Sequence, residues 1–442
     1  MRPFDVPEDR ATPGGRRLAM KLALIRSTAA EVQDDPVVFL AGGPGQAATQ
    51  YYADVAEWLG FVRRYRHIVL MDQRGTGASN PLTCEAADNL FATPVTDANL
   101  EQYQAQTRDC AKALAGRADP RFYTTTDAVE DLEALRRALG GPRLNLVGVS
   151  YGTRVAQQYA MRYPEGVRSL VLDGVVPNEL YVGSDNGETY DVALKARFAQ
   201  CADNPECKAR FGDVYASMIE VAAKLRQAPL SITYRDSDSF QIKNTAFDVH
   251  AFATLVHLYA FSAETAALLP LLIHDIGAGD AGPAMSQLDM AGKNLVRGMT
   301  PGMRMSVLCT EDLLDESRKP GYQSPLTQED YDHWRGLCSA WPKAEMPADF
   351  HQPMRSNVPA LLLSGEFDPA TPARYAEQVL AGLPRGRHLV AGGQGHNVIG
   401  RGCIPKLVGR FIDKLEPETL DAGCIADIGP PPFYLDDNGA SP

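Results

Sequence analysis

Gly148-Val149-Ser150-Tyr151-Gly152 is the stretch of sequence that decides the fold of this chain. Residues 143–147 before it are apolar-rich and short enough for a buried strand, and residues 153–161 after it predict a helix. Pro164 marks the end of that helix. The five residues fit the pattern G-x-S-x-G, in which a sharp turn from a strand into a helix lifts a serine hydroxyl out of a sheet. The pattern and its flanks therefore predict that Ser150 is a nucleophile.

A serine nucleophile needs a base, and the base needs an acid that orients it. Residues 360–365 predict a buried strand, and Asp368 follows just past its end, where open α/β sheets place their ligand groups. Residues 387–391 predict a last strand, and His396 follows it in a glycine-rich loop. In the fold built around this serine turn the three groups come in the order Ser, Asp, His. We therefore predict that Ser150, Asp368 and His396 form a catalytic triad.

Other acids and histidines remain alternatives at this point. Asp173 also ends a predicted strand, 169–173, and some hydrolases draw their acid from that earlier strand. Glu366 lies in the same loop as Asp368 and is a weaker alternative. The remaining histidines have no comparable motif around them, and we expect structural or surface positions for them: His67, His250, His257, His274, His333, His351 and His388.

The fourth component of such a site is a set of backbone N–H groups that face a developing oxyanion. Residues 37–40 predict a strand that runs into residues 41–46, where glycines allow the backbone to bend. We expect one donor to be the N–H of Gly43, or else of Gly42, and the second to be the N–H of Tyr151. The alternative is that these glycines form only a tight loop.

Several of these stretches together resemble the prolyl aminopeptidase and tripeptidyl aminopeptidase group of α/β-hydrolases. They are residues 42–45, 72–77, 148–152 and 172–175. The part from about Pro359 to Cys424 resembles the C-terminal segment of the tripeptidyl aminopeptidase branch. The chain departs from the family pattern at Ala41, where a histidine often stands, and at Asn397, where a glycine often follows the histidine.

The resemblance implies an α/β fold of the α/β-hydrolase type. Its central sheet is mostly parallel and flanked by helices, with a mainly helical cap inserted after the sixth strand. We expect residues 1–177 to form the first part of the core, 178–350 the cap, and 351–442 the second part of the core. The middle region has many helical stretches and little strand character, as a helical cap requires. Caps of this kind decide which substrates reach the serine.

Composition excludes several other classes of protein. Of the 442 residues 45% are hydrophobic and 22% are charged, which is typical of a soluble globular protein. The net charge of −12 argues against nucleic acid as a partner, because phosphate contacts need a basic face. No apolar run is long enough to predict a membrane span. The sequence contains no phosphate-binding loop, no H-E-x-x-H and no zinc-type cysteine pairs, so we expect neither a metal nor a cofactor.

The eight cysteines are an even number, which suits a set of disulfides. Sequential pairing is the simplest scheme and fits the resemblance: Cys84 with Cys110, Cys201 with Cys207, Cys309 with Cys338, and Cys403 with Cys424. Four disulfides would indicate a periplasmic or secreted protein, and eight reduced thiols in the cytosol are the alternative. The first residues have no apolar signal core, so an export signal would have been removed before Met1.

These features predict a serine hydrolase, and the resemblance favours an aminopeptidase that removes one residue or a short peptide from a free N-terminus through an acyl-enzyme. Such an enzyme must hold the substrate ammonium group, and Glu311 and Asp312, beside Cys309, are the candidates. A solvated acidic pair is the alternative interpretation of these two residues. Two other functions stay open: an esterase or amidase that uses the same triad on small uncharged substrates, and an inactive hydrolase fold that serves as a binding module.

Overall fold

The computed structural model of the protein describes residues 4–12, 14–84, 100–313, 322, 324–326 and 330–440. Its strands, in chain order, are β1 (Phe4–Pro7), β2 (Arg17–Met20), β3 (Leu22–Ile25), β4 (Val37–Leu40), β5 (Ile68–Met71), β6 (Leu144–Val149), β7 (Val167–Asp173), β8 (Leu230–Arg235), β9 (Ile242–Phe247), β10 (Ala360–Gly365), β11 (Gly386–Ala391), β12 (Tyr434–Asp436) and β13 (Gly439–Ala440).

The α-helices, in chain order, are α1 (Ala48–Val55), α2 (Gly60–Arg63), α3 (Leu100–Leu114), α4 (Thr125–Ala138), α5 (Tyr151–Arg162), α6 (Asn186–Asp203), α7 (Pro205–Phe211), α8 (Val214–Gln227), α9 (Val249–Ala260), α10 (Ala263–Ala266), α11 (Leu269–Gly277), α12 (Gly282–Gly298), α13 (Pro301–Val307), α14 (Asp330–Cys338), α15 (Ala373–Leu380) and α16 (Ile404–Lys414). A π-helical turn, Leu308–Asp312, follows α13.

The centre of the protein is a seven-stranded sheet with the order β11-β10-β7-β6-β4-β5-β3. Only β3 is antiparallel to its neighbour, and the other pairs in this sheet are parallel. Every residue of β6 and of β10 is buried, as expected for parallel strands covered on both faces. Because the parallel strands share a direction, the loops after β4, β6, β7, β10 and β11 meet at one edge of the sheet. This is the mostly parallel α/β sheet that the sequence predicts.

Between β7 and β10 the described chain is mainly helical, from α6 to α14, with one antiparallel pair, β8 and β9. This region has an apolar core of its own, in which Phe198, Met218, Phe247 and Phe252 are buried. The insertion follows the strand that ends at Asp173, where the sequence places the cap. Among the described strands it is the seventh along the chain and the fifth of the central sheet, because β1 and β2 pair with each other outside that sheet, so the expected position after the sixth strand was wrong in number. The boundaries 1–177, 178–350 and 351–442 stay a prediction, and we refer to α6–α14 as the cap.

All eight cysteines are paired in disulfides: Cys84 with Cys110, Cys201 with Cys207, Cys309 with Cys338, and Cys403 with Cys424. This is the sequential pairing predicted from the sequence. Four disulfides indicate an oxidising, extracytoplasmic compartment. Among the described helices, none has both the length and the apolar character needed to cross a bilayer.

Candidate active site

Ser150 lies at a sharp turn between β6 and α5, with φ 54° and ψ −125°. A positive φ is uncommon for a residue other than glycine, and such strained residues cluster at functional sites. The helix also passes very close to the strands. A Cβ on Gly152 would lie 2.2 Å from the carbonyl oxygen of Leu40, and one on Gly148 would lie 2.5 Å from the carbonyl oxygen of Gly152. The two glycines of the motif are therefore needed for the close packing that holds Ser150 at the sheet edge.

The loops after β10 and β11 bring Asp368 and His396 together. The Nδ1 atom of His396 lies 2.8 Å from Oδ2 of Asp368, and the side chains are 7% and 0% exposed. The N–H of Ser150 donates to the carbonyl of Asp173, and a Cβ on Gly174 would lie 2.9 Å from Cε1 of His396. Ser150 and His396 are thus brought to the same end of β7. In the described structure the Ser150 hydroxyl makes no hydrogen bond, and in free enzymes the serine–histidine bond often tightens only when substrate is present.

The Asp368 carboxylate is fixed by several donors. Its Oδ1 accepts the N–H groups of Ala370 and Thr371 at 2.9 and 2.8 Å, and its Oδ2 accepts the Thr371 hydroxyl at 2.7 Å. Burial raises the pKa of Asp368, but the charge of His396 and these hydrogen bonds outweigh burial and hold the pKa below its usual value. Burial likewise lowers the pKa of His396, and the Asp368 carboxylate overcomes this and raises the pKa. Each of the two groups therefore stabilises the charged form of the other.

The alternative acids have other partners. Asp173 accepts the N–H groups of Val398 and Ile399 at 2.9 and 3.0 Å, so it holds the segment that follows His396. Burial raises the pKa of Asp173 to about 6, against the effect of these two hydrogen bonds. Glu366 accepts the N–H of Gly393 at 2.7 Å. Among these carboxylates the structure brings Asp368 to the imidazole nitrogen.

Other histidines bond to groups elsewhere in the protein. His388 Nε2 lies 2.9 Å from Ser364 Oγ, and His67 Nδ1 accepts the N–H of Ser27 at 3.0 Å. The side chain of His333 lies outside the described residues. In the described structure His396 is the histidine whose ring lies against Gly174, next to the β6–α5 turn that carries Ser150.

The glycine loop after β4 lies against the serine. A Cβ on Gly42 would be 3.0 Å from Cβ of Ser150, and Gly43 has a φ of 112°. The backbone conformation of Gly43 therefore favours glycine, and a side chain at position 42 would crowd Ser150. Tyr151 is the first residue of α5, and the N–H groups of a first helical turn have no partner within the helix. These groups flank Ser150, and their assignment as oxyanion donors stays a prediction.

The family comparisons agree with this geometry. The alpha/beta hydrolase fold model matches residues 35–202, and the TAP-like protein model matches residues 324–424. The chain has the α/β-hydrolase fold.

Several curated relatives of this chain are named as peptidases. Serine protease Hip1 of Mycobacterium tuberculosis (strain ATCC 25618 / H37Rv) is 27% identical over 92% of this chain and 84% of its own. Tripeptidyl aminopeptidase of Streptomyces lividans is 25% identical over 97% of this chain and 84% of its own. Proline iminopeptidase of Neisseria gonorrhoeae is 33% identical over 32% of each chain. These relatives place the hydrolase among enzymes of the serine peptidase kind.

Behind the β6–α5 turn that carries Ser150, a chain of hydrogen bonds leads from Tyr151 to Glu311. The Tyr151 hydroxyl shares a hydrogen bond of 2.6 Å with Thr125 Oγ1 and accepts Gln73 Nε2 at 3.1 Å. Glu311 accepts the N–H of Thr125 at 2.6 Å and its hydroxyl at 2.8 Å. Burial raises the pKa of Glu311 to about 8, and the charge of Asp312 adds to this effect. Burial therefore favours the protonated form of Glu311 in this structure.

Asp312 forms a buried ion pair. Its Oδ1 lies 2.8 Å from Nη1 of Arg154, with both side chains 0% exposed, and also accepts the N–H of Val182 at 3.1 Å. Its Oδ2 is buried and has no hydrogen-bond partner among the described residues. The two acids predicted to hold the substrate amine thus have contacts within the hydrolase itself, and their role in amine binding stays a prediction.

Two residues in contact with the predicted triad, Thr371 and Phe261, were not predicted from the sequence. The Thr371 hydroxyl lies 2.7 Å from Asp368 Oδ2 and 3.0 Å from His396 Nδ1, and the carbonyl of Phe261 accepts the N–H of His396 at 2.7 Å. The spacing of Asp368 and Thr371 is a local pattern in which an aspartate bonds the backbone ahead of it, so it offered a signal for Thr371. No sequence signal links Phe261 to His396, because that contact depends on how the cap packs.

Asn397, where the family often has glycine, has a φ of 64°. This is the left-handed region, which glycine adopts freely and asparagine adopts more readily than most other residues. The substitution therefore keeps the turn after His396.

Proposed function

We propose that this protein is a serine aminopeptidase that releases one residue or a short peptide from a free N-terminus. The observation that carries the proposal is the His396–Asp368 pair at the same end of β7 as Ser150, which lies at the strand–helix turn. The names of the relatives, tripeptidyl aminopeptidase and proline iminopeptidase, support action at the N-terminus of a peptide.

In the proposed reaction the Nε2 atom of His396 takes the proton of the Ser150 hydroxyl while Oγ attacks the substrate carbonyl. The N–H groups of Tyr151 and Gly43, or Gly42, hold the oxyanion. Asp368 keeps His396 in the correct tautomer and stabilises its charged form. The imidazolium then protonates the leaving amine as the peptide bond breaks. Water attacks the acyl-enzyme with His396 again as the base, which restores Ser150.

An aminopeptidase also needs a group that recognises the charged N-terminus. We propose Glu311, supported by Asp312, for this role. Both residues lie on the π-helical turn that packs behind the β6–α5 turn carrying Ser150. The pKa of Glu311 is about 8, so a bound ammonium would have to favour the ionised carboxylate and displace its contacts with Thr125. This requirement makes Glu311 testable separately from the triad.

A panel of aminoacyl and tripeptidyl amides, each with a free and an acetylated amine, tests the proposal. A hydrogen bond to a charged group is worth about 1.5–3 kcal/mol. Acetylation should therefore lower kcat/KM by about ten- to a hundredfold. Equal hydrolysis of free and blocked substrates would instead indicate a general esterase or amidase.

Two controls separate the parts of this proposal. Labelling of wild-type protein, but not of Ser150→Ala, by a fluorophosphonate would exclude an inactive binding module. Glu311→Gln should reduce the preference for the free amine. An unchanged preference would keep the aminopeptidase and remove only Glu311 from its amine site.

We further propose that the protein acts in the periplasm or outside the cell. The four disulfides support this location, because they persist in oxidising compartments.

A further inference from the structure

The cap contacts both loops that flank the nucleophile. The first loop, residues 41–46, follows β4, which lies next to β6. The second loop, residues 392–396, contains His396 and follows β11 on the other side of β6. At the first loop, the N–H of Thr300 in the cap donates to the carbonyl of Gly45 at 2.9 Å. At the second, the carbonyl of Phe261, directly after α9, accepts the N–H of His396 at 2.7 Å. The cap is therefore hydrogen-bonded to the loops on both sides of Ser150.

The Phe261 side chain strengthens the second contact. Its ring meets the imidazole of His396 nearly at right angles, with centroids 5.3 Å apart and an interplanar angle of 85°. The same ring meets Tyr190 of α6 at 5.9 Å and 66°. Tyr190 belongs to the buried core of the cap. Phe261 therefore connects the cap core to the imidazole through both its backbone and its ring.

Gly395 shows how closely the cap approaches this loop. A Cβ there would lie 2.3 Å from the carbonyl oxygen of Phe261, a contact that requires either the loop or the cap to move. Gly395 is not among the glycines with positive φ, so the approach of Phe261, not the backbone conformation, demands glycine. Gly392 in the same loop also lacks a positive φ, and a Cβ there would meet its nearest atom, the Ile428 carbonyl oxygen, at 3.3 Å.

We propose that Phe261 is a positioning residue for His396, through which the docked cap sets the orientation of the imidazole. The proposal rests on the proposed function. Asp173 holds the segment after His396 from the core, and Phe261 holds His396 itself from the cap. Displacing Phe261 releases one of these two restraints. A misplacement of about 1 Å can cost about a hundredfold in rate, so a small shift of the cap is enough to disable the base.

Gly395→Ala tests the proposal, with Gly392→Ala as the matched control. We expect Gly395→Ala to lower kcat by about ten- to a hundredfold with KM changed by less than about threefold. The rate of fluorophosphonate labelling at Ser150 should fall by a similar factor, because labelling also needs a correctly placed His396. Gly392→Ala should keep both rates within about threefold of wild type, and thermal melts should show both variants folded.

A second pair of variants addresses the ring and covers a failure of Gly395→Ala to fold. Phe261→Ala should lower kcat and labelling in the same way, and Phe261→Tyr, which keeps the ring, should restore most of both rates. Wild-type rates in Gly395→Ala or in Phe261→Ala would overturn the proposal. So would a loss confined to KM, or a rate loss that Gly392→Ala shares. If wild-type protein cleaves none of the panel, the proposed function fails, and the labelling rates still decide the role of Phe261.

Discussion

The acid of the proposed triad is the carboxylate that meets the Nδ1 atom of His396. Asp368 does so at 2.8 Å, and Asp173 instead accepts two backbone N–H groups. We expect Asp368→Asn to lower kcat by about 10⁴, because an amide no longer holds the imidazole in its productive tautomer. Steady-state kinetics on the best substrate of the panel measures this change.

Asp173→Asn is the matched comparison. Asparagine offers one acceptor where aspartate offers two, so the N–H of Val398 or of Ile399 would lose its partner. A buried polar group without a partner costs about 1–3 kcal/mol. We therefore expect a clear loss of stability in urea unfolding and a much smaller loss of kcat. Abolished activity in Asp173→Asn together with an active Asp368→Asn would reverse the assignment.

Glu311 gives the protein a pH-dependent term in its stability. Its pKa is about 8 in the folded state, mainly because of burial, against an ordinary value of 4.5. Between these two values the folded state binds more protons than the unfolded state, so this residue lowers the free energy of unfolding as pH rises. Each pKa unit corresponds to about 1.4 kcal/mol. We expect Glu311→Gln to flatten the decline, measured by urea unfolding with disulfides intact from pH 5 to 8. A difference between variant and wild type that does not change over this range would contradict the raised pKa.

At the scale of elements, the turn between β6 and α5 depends on how closely α5 approaches the strands. A Cβ on Gly152 would lie 2.2 and 2.8 Å from the carbonyl oxygens of Leu40 and Ala41, and backbone atoms cannot rotate away. Overpacking of this kind costs about 1–3 kcal/mol and occasionally more. We expect Gly152→Ala to lower the melting temperature strongly and to prevent labelling of Ser150.

Gly116→Ala is the control for this change, because a Cβ at Gly116 meets nothing within 4 Å. Circular dichroism melts of both variants make the comparison. A Gly152→Ala protein with the wild-type melting temperature would show that the helix can move away from the strands without cost.

The elements that carry the triad could be predicted from the sequence because each is a short apolar run that ends at a polar residue. β6, β7 and β10 are buried over nearly their whole length, so their patterns leave little choice. The cap is different. Little strand character was expected there, and the structure nevertheless pairs β8 with β9, whose residues are largely exposed. Exposed strands lack the apolar pattern that marks buried ones.

For the whole molecule, the fold joins residues that are far apart along the chain. Ser150 precedes the cap, and Asp368 and His396 follow it, and the pairing of β7 with β6 and β10 brings these parts together. That these three residues meet could be predicted because each follows a strand, and the strand ends of a parallel sheet share an edge. Their order, Ser, Asp, His, came from the fold that the serine turn resembles. The contact between Phe261 and His396 could not be predicted, because it depends on where the inserted cap packs against that edge.

The disulfides extend this argument to the compartment in which the protein works. Thiol titration of the unfolded, unreduced protein from its native source should find almost no free thiols, and peptide mapping should find Cys201 linked to Cys207. Eight free thiols would contradict both the pairing and the oxidising compartment. Such a result would not affect the triad, because none of its contacts involves a cysteine.

The bridge between Cys309 and Cys338 has a particular place, because Cys309 lies on the same turn as Glu311. Removing a disulfide lowers the free energy of unfolding of small domains by about 2–5 kcal/mol. Replacing both cysteines by serine should lower it by less in this larger protein. If Glu311 anchors the substrate amine, the loosened turn should also reduce the preference for free over acetylated substrates. The variant with serine at both Cys403 and Cys424 is the control. That disulfide joins the start of α16 to the C-terminal segment, outside the cap. An equal fall in preference in both variants would mean that general loss of stability, and not the position of Glu311, sets the response.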